Sequence, residues 1–179
     1  LTSTDYVFDG RKGLYKEDDI PNPVNFYGKI KLVAEWCVDS VSNFIIIRSS
    51  LLYSAKKGTL ISWVLDGIKK GELSVATDLY YSPTLVSELA EGILKLIEMN
   101  ATGVFHMAGD SRISKYEFVK KIVEKLGYDS NIVKPIDSRE LNLVAKRVSD
   151  SSLDISKIKS MGINFSKIDD AVKKLVSQT

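Results

Sequence analysis

A tyrosine and a lysine stand four residues apart in the segment Tyr27–Lys31, which reads YGKIK. Residues four apart share one face of a helix, so the phenol and the ammonium can approach the same point. A phenol alone is a poor acid–base catalyst at neutral pH. A cation about 4 Å away, at an effective dielectric of about 20, stabilises the phenolate by roughly 4 kcal/mol. The pair therefore predicts a tyrosine that exchanges a proton with an alcohol or carbonyl oxygen, although this spacing also arises by chance on lysine-rich helices.

A hydroxyl-rich segment, Ser3-Thr4, precedes this tyrosine by about twenty residues. A small hydroxyl at the end of a strand is a natural second donor to a substrate carbonyl oxygen. Two donors aimed at one oxygen stabilise the charge that develops there during hydride transfer. The alternative is an ordinary Asx or Ser/Thr turn that leads into Asp9-Gly10. Because the hydroxyl and the tyrosine occur together, we favour the catalytic interpretation.

Helical and strand patterns alternate along the chain, which predicts an α/β fold with a mostly parallel sheet. Predicted buried strands are 44–47, 73–76 and 104–108. Six helices are predicted. The first spans 24–41, the second lies between Gly58 and Gly71, and the third begins near Ser82. Capping boxes at Ser114–Glu117 and Ser166–Asp169 open two more, and a short helix lies within 154–161. In the first of these helices, apolar residues recur at helical spacing: Tyr27, Ile30, Ala34, Cys37 or Val38, and Val41.

Composition narrows the functional classes only slightly. The chain of 179 residues is 44% hydrophobic and 27% charged, as in ordinary globular proteins. A formal net charge of +2, with acidic and basic residues interspersed, gives no argument for binding nucleic acid or a membrane surface. A single cysteine, Cys37, excludes an internal disulfide and fits a reducing compartment. No spacing of His, Cys, Asp and Glu predicts a metal site.

Further motifs follow in a fixed order. They are STDYVFDG at 3–10, YGKIK at 27–31, Arg48-Ser49-Ser50, Pro83-Thr84, GVFHMAG at 103–109 and Val133-Lys134-Pro135-Ile136. In combination they resemble the extended short-chain dehydrogenase/reductase family over essentially the whole chain. The resemblance implies hydride transfer from NADPH or NADH to the C4 keto group of a nucleotide-linked deoxysugar, in nucleotide-sugar or cell-surface polysaccharide biosynthesis.

The resemblance also implies roles for individual residues. Thr4 would hydrogen-bond the sugar carbonyl, Tyr27 would donate the proton, and Lys31 would hold the nicotinamide ribose and tune Tyr27. Tyr27, Lys31 and Arg48 would contact the cofactor. The substrate-binding residues would be Thr4, Asp5 and Tyr6, the last two bordering the sugar.

The architecture implied is part of a doubly wound, Rossmann-like parallel sheet with a smaller C-terminal substrate domain. Residues 1–48 and about 84–108 are expected in the cofactor-binding domain. Residues of about 49–83 and 109–179 are expected in the substrate-binding domain. We further expect a cytoplasmic protein that binds a nucleotide sugar, with no nucleic-acid or membrane partner, and the resemblance allows a homodimer.

The glycine-rich dinucleotide fingerprint of the family has no match here. Gly10 and Gly13 do not follow a strand and open a helix, as such a motif must. We therefore expect the chain to be the C-terminal portion of a longer enzyme. The preference for NADPH or NADH would be set in the absent N-terminal half.

Two further departures leave the sugar open. Leu52 stands where the family usually has a tryptophan near the sugar, and Arg147-Val148 replaces an arginine-proline pair. A nucleotide-sugar 4-epimerase of the same superfamily would share Thr4, Tyr27 and Lys31 but retain its cofactor. A non-catalytic regulatory subunit on this fold, like that of methionine adenosyltransferase, is the alternative from another functional class.

Overall fold

The structure is a computed structural model that describes residues 1–56, 59–141, 145 and 147–177. Its strands are β1 (Thr2–Thr4), β2 (Ile45–Ser49), β3 (Leu52–Tyr53), β4 (Leu73–Ala76), β5 (Tyr80–Tyr81), β6 (Thr84–Leu85), β7 (Gly103–His106), β8 (Ile113–Ser114) and β9 (Val133–Ile136). Its α-helices are α1 (Phe26–Asp39), α2 (Leu60–Lys70), α3 (Val86–Glu98), α4 (Lys115–Lys125), α5 (Ser156–Ser160) and α6 (Ile168–Val176). Among these residues, no helix combines the length and apolarity that a membrane crossing requires.

A parallel sheet with the strand order β1–β2–β7 confirms the predicted α/β architecture. Its middle strand, β2, carries Ile46 and Ile47, which are both buried, as expected of a strand covered on both faces. The register pairs Thr4 with Ser49 and Arg48 with His106. Because the strands run in the same direction, their C-terminal ends meet at one edge of the sheet, and Thr4 lies at that edge.

Two large hydrophobic clusters divide the interior. The first, here called the sheet cluster, packs on the three parallel strands and includes Val7, Phe8, Ile47, Leu89, Phe105, Met107, Leu153, Ile158 and Phe165. The second, the helical cluster, joins α2, α4 and α6 to the parallel pair β4–β9 and includes Tyr53, Ile61, Val75, Phe118, Ile122, Val172 and Leu175. The predicted domain bounds stay a prediction. They assign residues 153–165 to the substrate side, whereas these residues pack in the sheet cluster.

The buried face of α1 is not the one that carries the apolar residues at helical spacing. The helix buries Gly28, Leu32 and Glu35 instead, while Tyr27 and Ile30 are each 51% exposed. The physical reason is that α1 packs on β1 with a polar and glycine-containing face, which makes specific hydrogen bonds that an apolar periodicity cannot reveal.

Two predicted helix starts are wrong. Around Pro83 the chain forms the strands β5 and β6, and α3 begins only at Val86, because Thr84 pairs with Leu52 of β3. At the last helix, α6, the N-cap is Lys167, without a side-chain cap, because the Ser166 hydroxyl donates to Glu88 instead. The start of α2 predicted from Gly58 falls outside the described residues, whereas Gly71 ends that helix, as predicted, and adopts a left-handed conformation.

The capping box of α4 is confirmed, and it gives a stability prediction. Ser114 Oγ accepts from the Glu117 amide at 3.1 Å, and the Glu117 carboxylate accepts from the Ser114 amide. Ser114→Ala should therefore lower the free energy of unfolding by about 1 kcal/mol. Ser160→Ala, at the exposed end of α5, is the control and should change it by less than about 0.5 kcal/mol. Urea unfolding measures both variants, and equal losses would contradict the role of the cap.

Candidate active site

Helix α1 lies along β1 and the short turn Asp5–Val7 that follows it. The Asn25 side chain caps the helix by accepting from the Gly28 amide at 2.8 Å. A Cβ atom at position 28 would lie 2.1 Å from the carbonyl oxygen of Tyr6, so only glycine permits this approach. The close contact places the first turn of α1 directly beside the turn that carries Asp5 and Tyr6.

The predicted tyrosine–lysine pair lies on this first part of α1. The Tyr27 ring meets the Tyr6 ring edge-to-face, with 6.2 Å between the centroids, and half of its surface stays exposed. Lys31 Nζ donates to the carbonyl oxygen of Thr2 at 2.8 Å. An ammonium carries three donors, so this bond leaves Lys31 able to bind a further acceptor. Both side chains are therefore accessible beside the β1 strand.

Thr4 and Asp5 lie buried at the end of β1. The Thr4 hydroxyl oxygen is 3.0 Å from Asp5 Oδ1, and it also accepts from the Tyr6 amide at 3.3 Å. The other carboxylate oxygen of Asp5 accepts from the hydroxyls of Ser50 and Ser151 at 2.8 and 2.5 Å. Burial is the largest influence on this carboxyl group and raises the pKa of Asp5, against the opposing effect of these hydrogen bonds.

Arg48 occupies a different place from the one its predicted role needs. It is almost fully buried, and its Nη2 and Nε donate hydrogen bonds to the Glu35 carboxylate at 2.7 and 3.0 Å. The Ser3 hydroxyl donates to the same carboxylate. Because the guanidinium is enclosed and its charge is neutralised, this arrangement argues against the predicted contact between Arg48 and the cofactor. The buried ion pair instead joins α1 to β2.

His106, the single histidine, completes this buried network. Its Nε2 lies 3.5 Å from Arg48 Nη1, and its Nδ1 lies 2.9 Å from the carbonyl oxygen of Tyr15. Burial, reinforced by the nearby Arg48 charge, lowers the pKa of His106 to about 3. The imidazole is therefore neutral and structural at physiological pH.

A cavity of about 380 Å³ opens beside the Asp5–Val7 turn. Its apolar walls come from Val75 of the helical cluster and from a third, small cluster of Ala76, Leu79 and Tyr81. Among the residues that line it are Asp5, Tyr6, Trp63, Tyr81, Lys115 and Arg147. Thr4 adjoins the cavity through Asp5, and Tyr27 adjoins it through Tyr6. The predicted substrate residues Asp5 and Tyr6 thus lie in its wall.

Among the residues that the structure describes, the cavity cations Lys115 and Arg147 form no ion pair with a carboxylate, although Asp5 acts on Arg147 electrostatically. Burial, together with the nearby Arg147 charge, lowers the pKa of Lys115. The Lys115 ammonium lies 5.1 Å from the Trp63 ring centroid, and Arg147 Nη1 donates to the Tyr6 hydroxyl at 3.0 Å. Positive charge that is partly buried and uncompensated is the electrostatic signature of an anion site.

Comparison with known proteins identifies the family. The model of the RmlD substrate binding domain matches residues 1–179. The chain belongs to this family. It is 33% identical over 164 residues to a probable low-salt glycan biosynthesis reductase of Haloferax volcanii, covering 87% of this chain and 55% of that protein. It is 31% identical over 172 residues to the methionine adenosyltransferase 2 subunit beta of Pongo abelii, covering 90% and 51%.

Solved structures agree with this assignment. A dTDP-4-dehydrorhamnose reductase of Bacillus anthracis, determined in complex with NADP, superimposes with a TM-score of 0.93 at 30% identity. The match covers 99% of this chain and 64% of that one. The chain spans about half the length of the curated relatives that it matches. This RmlD substrate binding domain therefore has the fold of the extended dehydrogenase/reductases and resembles dTDP-4-dehydrorhamnose reductase.

The residues present fit part of a nicotinamide cofactor site. Tyr27 and Lys31 are accessible beside β1, and Lys31 retains donors for ribose hydroxyls. Ligands of open parallel sheets bind outside the carboxyl ends of the strands. In this RmlD substrate binding domain that edge is where Thr4 ends β1 and Ser49 ends β2.

Lys115, Ser50 and Ser151 are functional candidates that the sequence interpretation missed. A signal for Lys115 exists: it is the first residue of α4, directly after the capping Ser114. Cations are unfavourable at a helix N-terminus because the helix dipole is positive there. A lysine at that position is unfavourable for the stability of α4, and such local conflicts are expected at functional sites. Ser50 and Ser151 carry no such signal.

The buried ion pair gives a prediction about stability. Arg48→Met leaves the Glu35 carboxylate buried without its cation, which should lower the free energy of unfolding by about 3–5 kcal/mol. The double variant Glu35→Leu with Arg48→Met removes both charges and should recover at least about 1 kcal/mol of that loss. Chemical denaturation of the two variants and the parent measures the difference. A double variant no more stable than Arg48→Met would refute this account.

Proposed function

We propose that this domain is the substrate-binding portion of a cytoplasmic NAD(P)H-dependent reductase. Its substrate would be a nucleotide-linked deoxysugar with a C4 keto group, of the dTDP-4-dehydrorhamnose type. The observation that carries the proposal is the position of the cavity. Lys115 and Arg147 line it together with Asp5 and Tyr6, and Thr4 and Tyr27 contact Asp5 and Tyr6 respectively.

The cavity suits a nucleoside diphosphate sugar in size and chemistry. Its volume of about 380 Å³ falls in the range of small-molecule pockets. Lys115 and Arg147 offer positive charge and unused donors for the diphosphate. Trp63 and Tyr81 offer aromatic surface in the same wall, on which a base or a sugar ring can pack.

The three predicted catalytic residues divide the chemistry at the keto group. A bound NADPH or NADH supplies the hydride for the carbonyl carbon. Tyr27 would give its hydroxyl proton to the carbonyl oxygen, which becomes an alcohol, and Lys31 would stabilise the resulting phenolate. Because half of the Tyr27 surface is exposed, the phenolate can regain a proton from water. Thr4 would donate a hydrogen bond to the same carbonyl oxygen as charge develops on it.

The relatives support a reductase and also name its main rival. The Haloferax volcanii relative is described as a reductase of glycan biosynthesis, and the Bacillus anthracis structure is a dTDP-4-dehydrorhamnose reductase with NADP. Similarity to the methionine adenosyltransferase 2 subunit beta favours a regulatory subunit instead. The accessible Tyr27–Lys31 pair supports the enzyme, because a binding module has no need of a proton donor beside a cation. Turnover of a 4-keto sugar nucleotide by the protein that contains this chain decides between them, and tightly bound NAD after purification would indicate a 4-epimerase.

The first functional prediction concerns the proton donor. In the protein that contains this chain, Tyr27→Phe should lower kcat about 10²–10⁴-fold, since it removes the acidic hydroxyl. The Kd for the sugar nucleotide should change little, because the ring and its contact with Tyr6 remain. Steady-state kinetics with calorimetric binding measure both. Tyr128→Phe, at an exposed tyrosine after α4, is the matched control with parental kcat. Near-parental turnover by Tyr27→Phe would show that another group donates the proton.

The second functional prediction concerns the anion site. Lys115→Met removes one of two cations, so the Kd for the sugar nucleotide should rise about tenfold or more. The dependence of that Kd on salt concentration should also weaken, since one ionic contact is lost. Lys69→Met, at the exposed end of α2 and outside the cavity, controls for general charge. Equal affinities for the two variants would place the diphosphate elsewhere.

A further inference from the structure

The carboxyl group of Asp5 gathers hydroxyls from three separate parts of the chain. Thr4 at the end of β1 faces its Oδ1, while Ser50 and Ser151 face its Oδ2. Asp5, Ser50 and Ser151 are all essentially inaccessible to solvent. A carboxyl group held this way has no freedom to turn toward a ligand. Its effect on the site must pass through the hydroxyls that it contacts.

The direction of the hydrogen bonds at Oδ2 follows from the neighbours of Ser50. The Ser50 hydroxyl oxygen accepts from the Ser82 amide at 3.2 Å, so its own hydrogen is free to point at Asp5. Ser151 contacts the same oxygen at 2.5 Å. With two hydroxyl donors on Oδ2, a proton carried by the carboxyl group belongs on Oδ1. The neighbour of Oδ1 is Thr4, at 3.0 Å.

The charge on Asp5 therefore decides which way the Thr4 hydroxyl points. An ionised carboxylate only accepts, so it takes the single hydrogen of Thr4 and leaves none for a substrate oxygen. We propose that Asp5 is a positioning residue: in its neutral form it donates from Oδ1 to Thr4 and frees the Thr4 hydrogen for the substrate carbonyl. The proposal rests on the proposed function of Thr4 as a donor to that carbonyl.

Burial of Asp5 favours its neutral form, whereas the hydrogen bonds that it accepts and the positive charge of Arg147 favour the carboxylate. Burial raises the pKa of Asp5, although the three hydroxyl contacts oppose the shift. The other titratable or charged groups that face it are Arg147 and Tyr81, which interact with it electrostatically, and Tyr6 and Lys115, which share its cavity. The neutral form exists below the pKa of Asp5 and is lost above it. The donor capacity of Thr4 should consequently fall as pH rises through that pKa.

The decisive variant is Asp5→Asn. Its amide copies the neutral carboxyl group, because the NH₂ group can donate to Thr4 while the oxygen accepts from Ser50 and Ser151. In the protein that contains this chain, kcat/KM of the parent should fall about tenfold per pH unit above the pKa of Asp5. The profile of Asp5→Asn should lack that fall, whatever its plateau. A fall in kcat/KM caused by the titration of Lys115 would instead appear in both proteins. A variant profile with the same fall as the parent overturns the proposal.

Ser151→Ala tests the direction of the effect. Removing a donor to Oδ2 destabilises the carboxylate, so the pKa of Asp5 should rise further and the fall in kcat/KM should move to higher pH. A purely structural role of the Asp5 cluster would reduce activity at every pH without moving that fall. An unmoved fall, or one displaced to lower pH, contradicts the proposal.

Infrared spectroscopy keeps the test independent of catalysis. At pH values below the fall in kcat/KM, the difference spectrum between the parent and Asp5→Asn should contain the band of a protonated carboxylic acid. That band should move to higher frequency in Thr4→Val, because the acid loses its acceptor. Absence of the band, or no movement in Thr4→Val, overturns the assignment to Asp5. If these signals are present but neither the parent nor the variants reduce a 4-keto sugar nucleotide, the Asp5–Thr4 contact stands and the proposed function fails.

Discussion

Glu35 on α1 and Arg48 on β2 face each other in the interior, 2.7 Å apart at their closest charged atoms. Two buried charges are tolerated only when each is fully hydrogen-bonded. Ser3 on β1 and His106 on β7 supply the remaining contacts, so the pair connects every strand of the parallel sheet to α1. This connection fixes the position of α1 along β1. The positions of Tyr27 and Lys31 beside that strand follow from it.

The cation packed beside the parallel sheet is paired with a carboxylate, whereas the cations of the cavity are not. In the sheet cluster, the guanidinium of Arg48 is completely neutralised and belongs to the scaffold. In the cavity, Lys115 and Arg147 form no ion pair with a carboxylate within the described part of the chain, and burial lowers the pKa of Lys115. Such an imbalance is not required by folding, because a leucine or glutamine in either place would pack without it. A ligand of opposite charge gives it a physical purpose.

The sequence predicted features that depend on local periodicity or on neighbouring residues. The buried run of β2, the strand β4, the capping box at Ser114 and the end of α2 at Gly71 are all of this kind. Prediction from the sequence failed where a residue distant in the chain determines the local structure. The face of α1 is chosen by Ser3 and Arg48, and the extended chain at Thr84 is chosen by β3. In the candidate site, Tyr27 and Lys31 could be found from their spacing. Ser151 could not, because it meets Asp5 across 146 residues.

That separation has a consequence for how the site is assembled. Residues 150–154 bond to the N-terminal part of the chain at several points, among them Ser151 with Asp5, Ser152 with Leu14, and Asp154 with Tyr15. Contacts between residues so far apart form late in folding, since closing a long loop costs entropy before the contact repays it. During synthesis, the hydroxyl cluster around Asp5 stays incomplete until residue 151 has left the ribosome. The site and the sheet cluster beneath it therefore both depend on the C-terminal part of the chain.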